Sequence, residues 1–256
     1  MNTLLLLLSA LATAVFCNAG AFRMPLKKLP SLRSRLIKEG KYEEFLMQYH
    51  LERAEGGQDW DRPDRPFIDD LFVVTVAVGT PYQPVRMLMD TTTADFWVLD
   101  QQAACTTTLC NLFNINSSTT FVKGKDGYTI GNGQPTGFFA TDAIRLDDYE
   151  YATQEFGVLT TRPKYDQEFS GIFGLAWPAL SLNGLVPPIQ NFLPQLPQPV
   201  FSIWITRLVH VGSQMERFEE FGGEISIGGL IEGDCDDDVQ YVPLSSKTYW
   251  QFPVQR

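Results

Sequence analysis

The stretch Met87-Leu88-Met89-Asp90-Thr91-Thr92-Thr93-Ala94-Asp95-Phe96-Trp97-Val98-Leu99 constrains this chain more than any other. An apolar segment runs into an aspartate, crosses a short polar turn and re-enters an apolar segment that carries a tryptophan. Two buried strands on either side of such a turn hold one carboxylate, Asp90, in a hydrogen-bonded loop. The rest of the chain fits a β architecture. Short runs rich in Phe, Val, Ile and Thr are separated by Gly and Pro clusters. At 256 residues the chain has room for one or two domains. Its net charge of −10 argues against nucleic-acid binding.

Residues 4–15 form an apolar run followed by Cys17-Asn18-Ala19-Gly20. The run is short for a bilayer span and small residues follow it, so residues 1–19 read as a secretory signal peptide cleaved near Ala19. No other segment is apolar and long enough to span a membrane. Residues 20–60 read as a separate leader. Leu32, Leu36 and Ile37, and again Tyr42, Phe45 and Leu46, fall near helical spacing. From residue 20 to 55 there are eight Lys/Arg against five Asp/Glu, a net of +3, whereas residues 56–256 carry 12 against 25, a net of −13. A basic helical leader is electrostatically complementary to so acidic a body.

The Asp90 loop resembles the first active-site loop of pepsin-like aspartic proteases, apolar-apolar-Asp-Thr-Gly-Ser-x-x-apolar-Trp-Val. Other segments agree in order. Val73-Val74-Thr75-Val76-Ala77-Val78-Gly79-Thr80-Pro81 is similar to the family's first hairpin, and Asn116-Ser117-Ser118-Thr119-Thr120-Phe121 to the loop after a small disulfide. Ser170-Gly171-Ile172-Phe173-Gly174-Leu175-Ala176-Trp177-Pro178 resembles the strand that crosses behind the active-site loop, where Gly174 would let two backbones meet. Phe201-Ser202-Ile203-Trp204-Ile205 and Gly222-Gly223-Glu224-Ile225-Ser226-Ile227-Gly228-Gly229-Leu230 resemble inter-lobe strands, and Tyr249-Trp250-Gln251-Phe252 the lead into a second lobe.

The resemblance implies an all-β fold: the amino-terminal lobe of a bilobal acid protease at residues 61–256, preceded by a helical prosegment, with the carboxy-terminal lobe absent. It implies that the basic leader covers the cleft and leaves in acid. The family's prosegment Lys has no counterpart here; Arg53 is the nearest cation. Arg62-Pro63 and Arg65-Pro66 oppose trypsin-like cleavage in the zone where processing would fall. Cys105 and Cys110 are implied to close the small disulfide, which an oxidising compartment permits. Cys235 is then left over. Asn116 opens a glycosylation sequon. The implied setting is secretion or an acidic, lysosome-like compartment.

The implied chemistry is peptide-bond hydrolysis by two carboxylates that share a proton, one acting as base on a water. Asp90 is the one such aspartate in these 256 residues, with Thr91 and Thr93 as its supports. Two departures bear on activity. Thr92 replaces the family's Gly, and its Cβ and methyl are expected to intrude on the cleft side of the loop, where positive φ would be disfavoured. In the flap, anchoring on Gly131, Gly133, Thr136 and Gly137 puts Ile130 in place of the hydroxyl-bearing Tyr beside Trp97. Tyr128 could substitute only with two extra hairpin residues.

The expectation is therefore a catalytically impaired or inactive family member. The alternatives are an active endopeptidase, from a fuller chain or from two copies pairing, a non-enzymatic peptide-binding homologue, and a truncated product that self-associates through an exposed inter-lobe surface. Peptides or proteins are the expected ligands. No metal or cofactor is expected. His50 and His210 lack zinc-type spacing, and Asp234-Cys235-Asp236-Asp237-Asp238 lacks the Gly and Glu of a calcium loop.

Overall fold

A computed structural model describes residues 21–29, 31–56, 71–103, 111–130, 134–161, 169–206, 221–230 and 239–254. Ten strands join in one sheet, in the order β5-β6-β7-β4-β8-β3-β2-β1-β10-β9. They are β1 (Phe22–Leu29), β2 (Leu71–Val78), β3 (Gln83–Asp90), β4 (Phe96–Leu99), β5 (Val122–Ile130), β6 (Gln134–Leu146), β7 (Tyr149–Leu159), β8 (Gly171–Gly174), β9 (Phe201–Ile205) and β10 (Gly223–Ile227). A second pairing of β6 on β2, Ala77 with Arg145 and Val78 with Ile144, closes six of these strands into a barrel. The all-β lobe expected from the resemblance is what forms.

The barrel closes because its strands alternate. In β2, Val74, Val76 and Val78 point inward while Thr75 is exposed. They meet Val85 and Met87 of β3, Val98 of β4, Ile144 of β6, Val158 of β7 and Phe173 of β8 in one buried cluster. Phe96 packs edge-on against Phe156 and Phe173, with ring centroids 5.5 and 5.6 Å apart. Burial of this kind is the main source of stability for such a lobe, at about 25 cal/mol per Å² of apolar surface.

The leader departs from a purely helical segment. It begins with β1, in which Phe22, Met24 and Leu26 are buried and Arg23, Pro25 and Lys27 are exposed. β1 pairs antiparallel with β10 through Phe22–Leu26 and with β2 through Lys27–Leu29. The alternation that marks this strand has the period of 2 expected of a half-buried β segment. Helical spacing asserts itself only afterwards. Ser31 caps α1 (Leu32–Lys38) by accepting the Ser34 N–H at 3.0 Å. Gly40, at φ +70°, then lets the chain turn into α2 (Tyr42–Gly56). α1 buries none of its residues, so β1 is the part of the leader that is built into the body. Among the described residues no helix is long and apolar enough to cross a membrane.

Candidate active site

Asp90 is the last residue of β3, in parallel register with Gly174 of β8. Its carbonyl oxygen accepts the Leu175 N–H at 2.8 Å, and the Thr93 carbonyl accepts Ala176 N–H at 3.0 Å. The turn is thus sewn to the strand behind it. A Cβ on Gly174 would stand 2.6 Å from the carbonyl oxygens of Thr93 and Asp95, so only glycine admits this approach. The close crossing read from the sequence at Gly174 is present.

The carboxylate of Asp90 is half-buried. Its Oδ1 accepts the Thr92 N–H at 2.8 Å and the Thr92 hydroxyl at 2.6 Å. The sequence reading gave the supporting hydroxyl to Thr93, and this is corrected. Thr93 accepts the Asp95 N–H at 3.1 Å and turns its hydroxyl to the Asp95 carboxylate at 3.4 Å. Asp95 drew it away, since a buried carboxylate must gather donors. Thr91 is exposed and gives Asp90 no hydrogen bond among the described residues. Thr92 is exposed too, and it does not take positive φ; among the described residues Asp147 is the one non-glycine residue that does. The expected backbone strain at Thr92 is absent, while its side chain does stand beside the carboxylate.

The β5–β6 hairpin meets β4, the strand that follows this turn. Ile130 pairs with Gln134 and packs against the buried cluster that contains Trp97, Tyr128 and Phe169. Trp97 is buried, with its ring centroid 6.5 Å from that of Phe169. Tyr128 is fully buried and its hydroxyl donates to the Phe96 carbonyl at 3.3 Å. Its ring fills the space where Gly157 lacks a Cβ. Burial, and then the nearby Asp95 charge, push the phenol well above its usual range. Tyr128 is therefore a core residue and does not stand in for a hydroxyl at the hairpin tip. Gly131 and Gly133 at that tip, the cysteines Cys105, Cys110 and Cys235, and residues 1–19 all lie outside the described residues.

Asp95 is the residue of this region that sequence reading missed. It is buried and also receives the Ser181 hydroxyl at 3.0 Å and the Leu182 N–H at 3.3 Å. The signal was present: a carboxylate set between Ala94 and Phe96, inside an apolar run.

Comparison with known proteins gives this geometry a setting. A family model described as eukaryotic aspartyl protease matches residues 71–256, and one described as A1 propeptide matches residues 23–49, from β1 into α2. Aspartic protease 1 of Caenorhabditis elegans is 37% identical over 95% of this chain and 64% of its own length. Aspartic protease 17 of the same organism is 37% identical over 97% of the chain and 65% of its own. Gastricsin of Oryctolagus cuniculus is 30% identical, with the same coverage of 97% and 65%. The chain spans a little under two thirds of the length of these relatives.

Proposed function

The chain belongs to the eukaryotic aspartyl protease family, and from that premise we propose that it binds extended peptides as a pepsin-like lobe but is impaired in hydrolysing them. The observation that carries the proposal is the double hydrogen bond from Thr92 to Asp90 Oδ1. A proton-sharing carboxylate pair needs a free face on each carboxylate for the second carboxyl and for a water. Here an exposed β-branched side chain crowds that face, and its hydroxyl takes up acceptor capacity on Oδ1. Ile130, beside Trp97, brings no hydroxyl to the hairpin. Within these residues one carboxylate, Asp90, occupies such a loop, so catalysis needs a second supplied from elsewhere in the protein or from a second copy.

The leader, an A1 propeptide by its match, supports a zymogen-like organisation in which residues 20–60 precede a lobe over 61–256. Further parts of the reading go with it: a signal peptide at residues 1–19, export or an acidic endomembrane destination, a Cys105–Cys110 disulfide, and a glycan on Asn116. Apolar side chains exposed on β9 (Ile203, Ile205) and in the final segment (Tyr241, Phe252, Val254) support self-association through this surface.

The test is hydrolysis of a denatured protein in acid, over a range of protein concentrations, for the wild type and Asp90→Asn, with binding of the same substrate measured in parallel. The expected result is binding by both proteins and no cleavage above the Asp90→Asn control. Cleavage by the wild type alone overturns the impairment, and a steep concentration dependence of it identifies two copies as the source of the carboxylate pair. Loss of binding in a folded sample overturns the peptide-binding reading.

A further inference from the structure

We propose that Asn183 is a latch that fixes the stem of the β5–β6 hairpin beside the Asp90 turn. Among the described residues β5 ends the sheet and pairs with β6 alone. Thr129, next to Ile130, sits opposite Pro135 in the ladder and turns its own N–H and C=O away from β6, to the open edge. The register also shifts between Tyr128 and Thr129. A stem left so would fray, because the outward N–H and C=O groups of an edge strand are otherwise left to water.

Asn183 completes it from outside. Its Oδ1 accepts the Thr129 N–H at 3.1 Å, and its Nδ2 donates to the Thr129 carbonyl at 2.9 Å. One side-chain amide thus offers both bonds that a neighbouring strand would offer, in the same donor and acceptor order. The Thr129 hydroxyl reaches the same Oδ1 at 3.3 Å. The amide is held in place by its own turn. Gly184 takes φ +70°, and the Ser181 hydroxyl accepts the Leu185 N–H at 3.0 Å while donating to Asp95 at 3.0 Å. Asp95 in turn is bonded to Thr93 of the active-site turn. Hydrogen bonds from Thr93 through Asp95 to Ser181 and Leu182, and then the covalent turn that carries Asn183, link the Asp90 turn to the stem of the hairpin. Asn183 is a positioning residue; it touches no reacting atom.

The inference rests on the protease reading only in taking this hairpin as the element that closes over a bound peptide. Its test reads amide hydrogen exchange, which does not depend on hydrolysis. Asn183→Ala is expected to lower the protection of the Thr129 amide by about tenfold, with the amides of β3 and β4 unchanged. Asn183→Asp supplies a second readout. Its protonated carboxyl has one donor and one acceptor like the amide, whereas its ionised form has no donor and faces the Thr129 carbonyl with negative charge. Protection at Thr129, referenced to wild type at each pH because Asp95 and the Tyr128 phenol face the same turn, is expected near wild type in acid and at the alanine level at neutral pH. Unchanged protection in a folded Asn183→Ala protein, or a loss spread equally through β3 and β4, overturns the latch. Should Asn183→Ala not fold, equal protection of Asn183→Asp at both pH values overturns it. An inactive protein with a protected Thr129 amide leaves the latch standing and bears only on the proposed function.

Discussion

Asp100 shows how a single buried carboxyl sets a pH response. It follows β4, is almost fully buried, and its Oδ1 accepts the Gln101 N–H at 2.7 Å. Burial pushes its pKa up, against the smaller lowering effect of that hydrogen bond. A carboxyl whose folded pKa is raised favours the fold in acid, and the advantage is lost as pH rises from the unfolded value through the folded one. Asp100→Asn keeps an oxygen for Gln101 and removes the titration. It is expected to raise the thermal midpoint at neutral pH and to leave it near wild type below about pH 4, as measured by thermal unfolding across that range. At this scale sequence reading went as far as residues whose role follows from backbone geometry. Asp90 was legible because a polar turn between apolar runs must hold its aspartate, and Gly174 because a strand crossing leaves no room for a Cβ. Which hydroxyl serves which carboxylate was not legible. Thr92 and Thr93 are chemically alike, and Asp95, a competitor buried by distant parts of the chain, decides between them.

β1 is the element whose character the sequence concealed. Its lysines, its proline and the helices that follow favour a charged amphipathic leader, and the short alternation Phe22, Met24, Leu26 is easily lost inside it. What makes it a strand is tertiary. β2 and β10 each present an edge, and β1 fills the place between them. Leu26 is the anchor of that arrangement, almost fully buried and opposite Gly223, where a Cβ would clash with the Ile205 Cα at 2.9 Å. Leu26→Ala is expected to cost about 3 kcal/mol of unfolding free energy, measured by chemical denaturation. Ile37→Ala on α1, an exposed position, is expected to stay within about 0.5 kcal/mol of wild type. Equal effects of the two substitutions would mean that the helices, and not β1, anchor the leader.

Across the whole molecule, the all-β lobe was the most legible feature, because strands such as β2 and β4 carry the alternation or the apolar run that burial demands. Its closure was not, since two residue pairs between β2 and β6 bring together segments far apart in the chain. The turn that carries Asn116 stands on the outside of this body, exposed, with the Asn116 N–H bonded to Asn114 Oδ1 and, among the described residues, no claim on the Asn116 amide itself. Expression in a secreting eukaryotic cell is expected to yield a protein whose gel mobility shifts on enzymatic deglycosylation, and Asn116→Gln is expected to abolish the shift.

The place of β1 between β2 and β10 has a kinetic consequence. While the chain is continuous, that strand is present at the high local concentration its tether enforces, and it re-forms its ladder faster than any other segment can reach the slot. A single cut between Gly56 and Leu71 changes none of those contacts. It converts an intramolecular strand into a bound peptide, whose departure is a bimolecular equilibrium governed by dilution and by whatever competes for the same two edges. Cutting the chain and losing β1 are then separate events, and a nicked protein kept concentrated would keep β1 between β2 and β10.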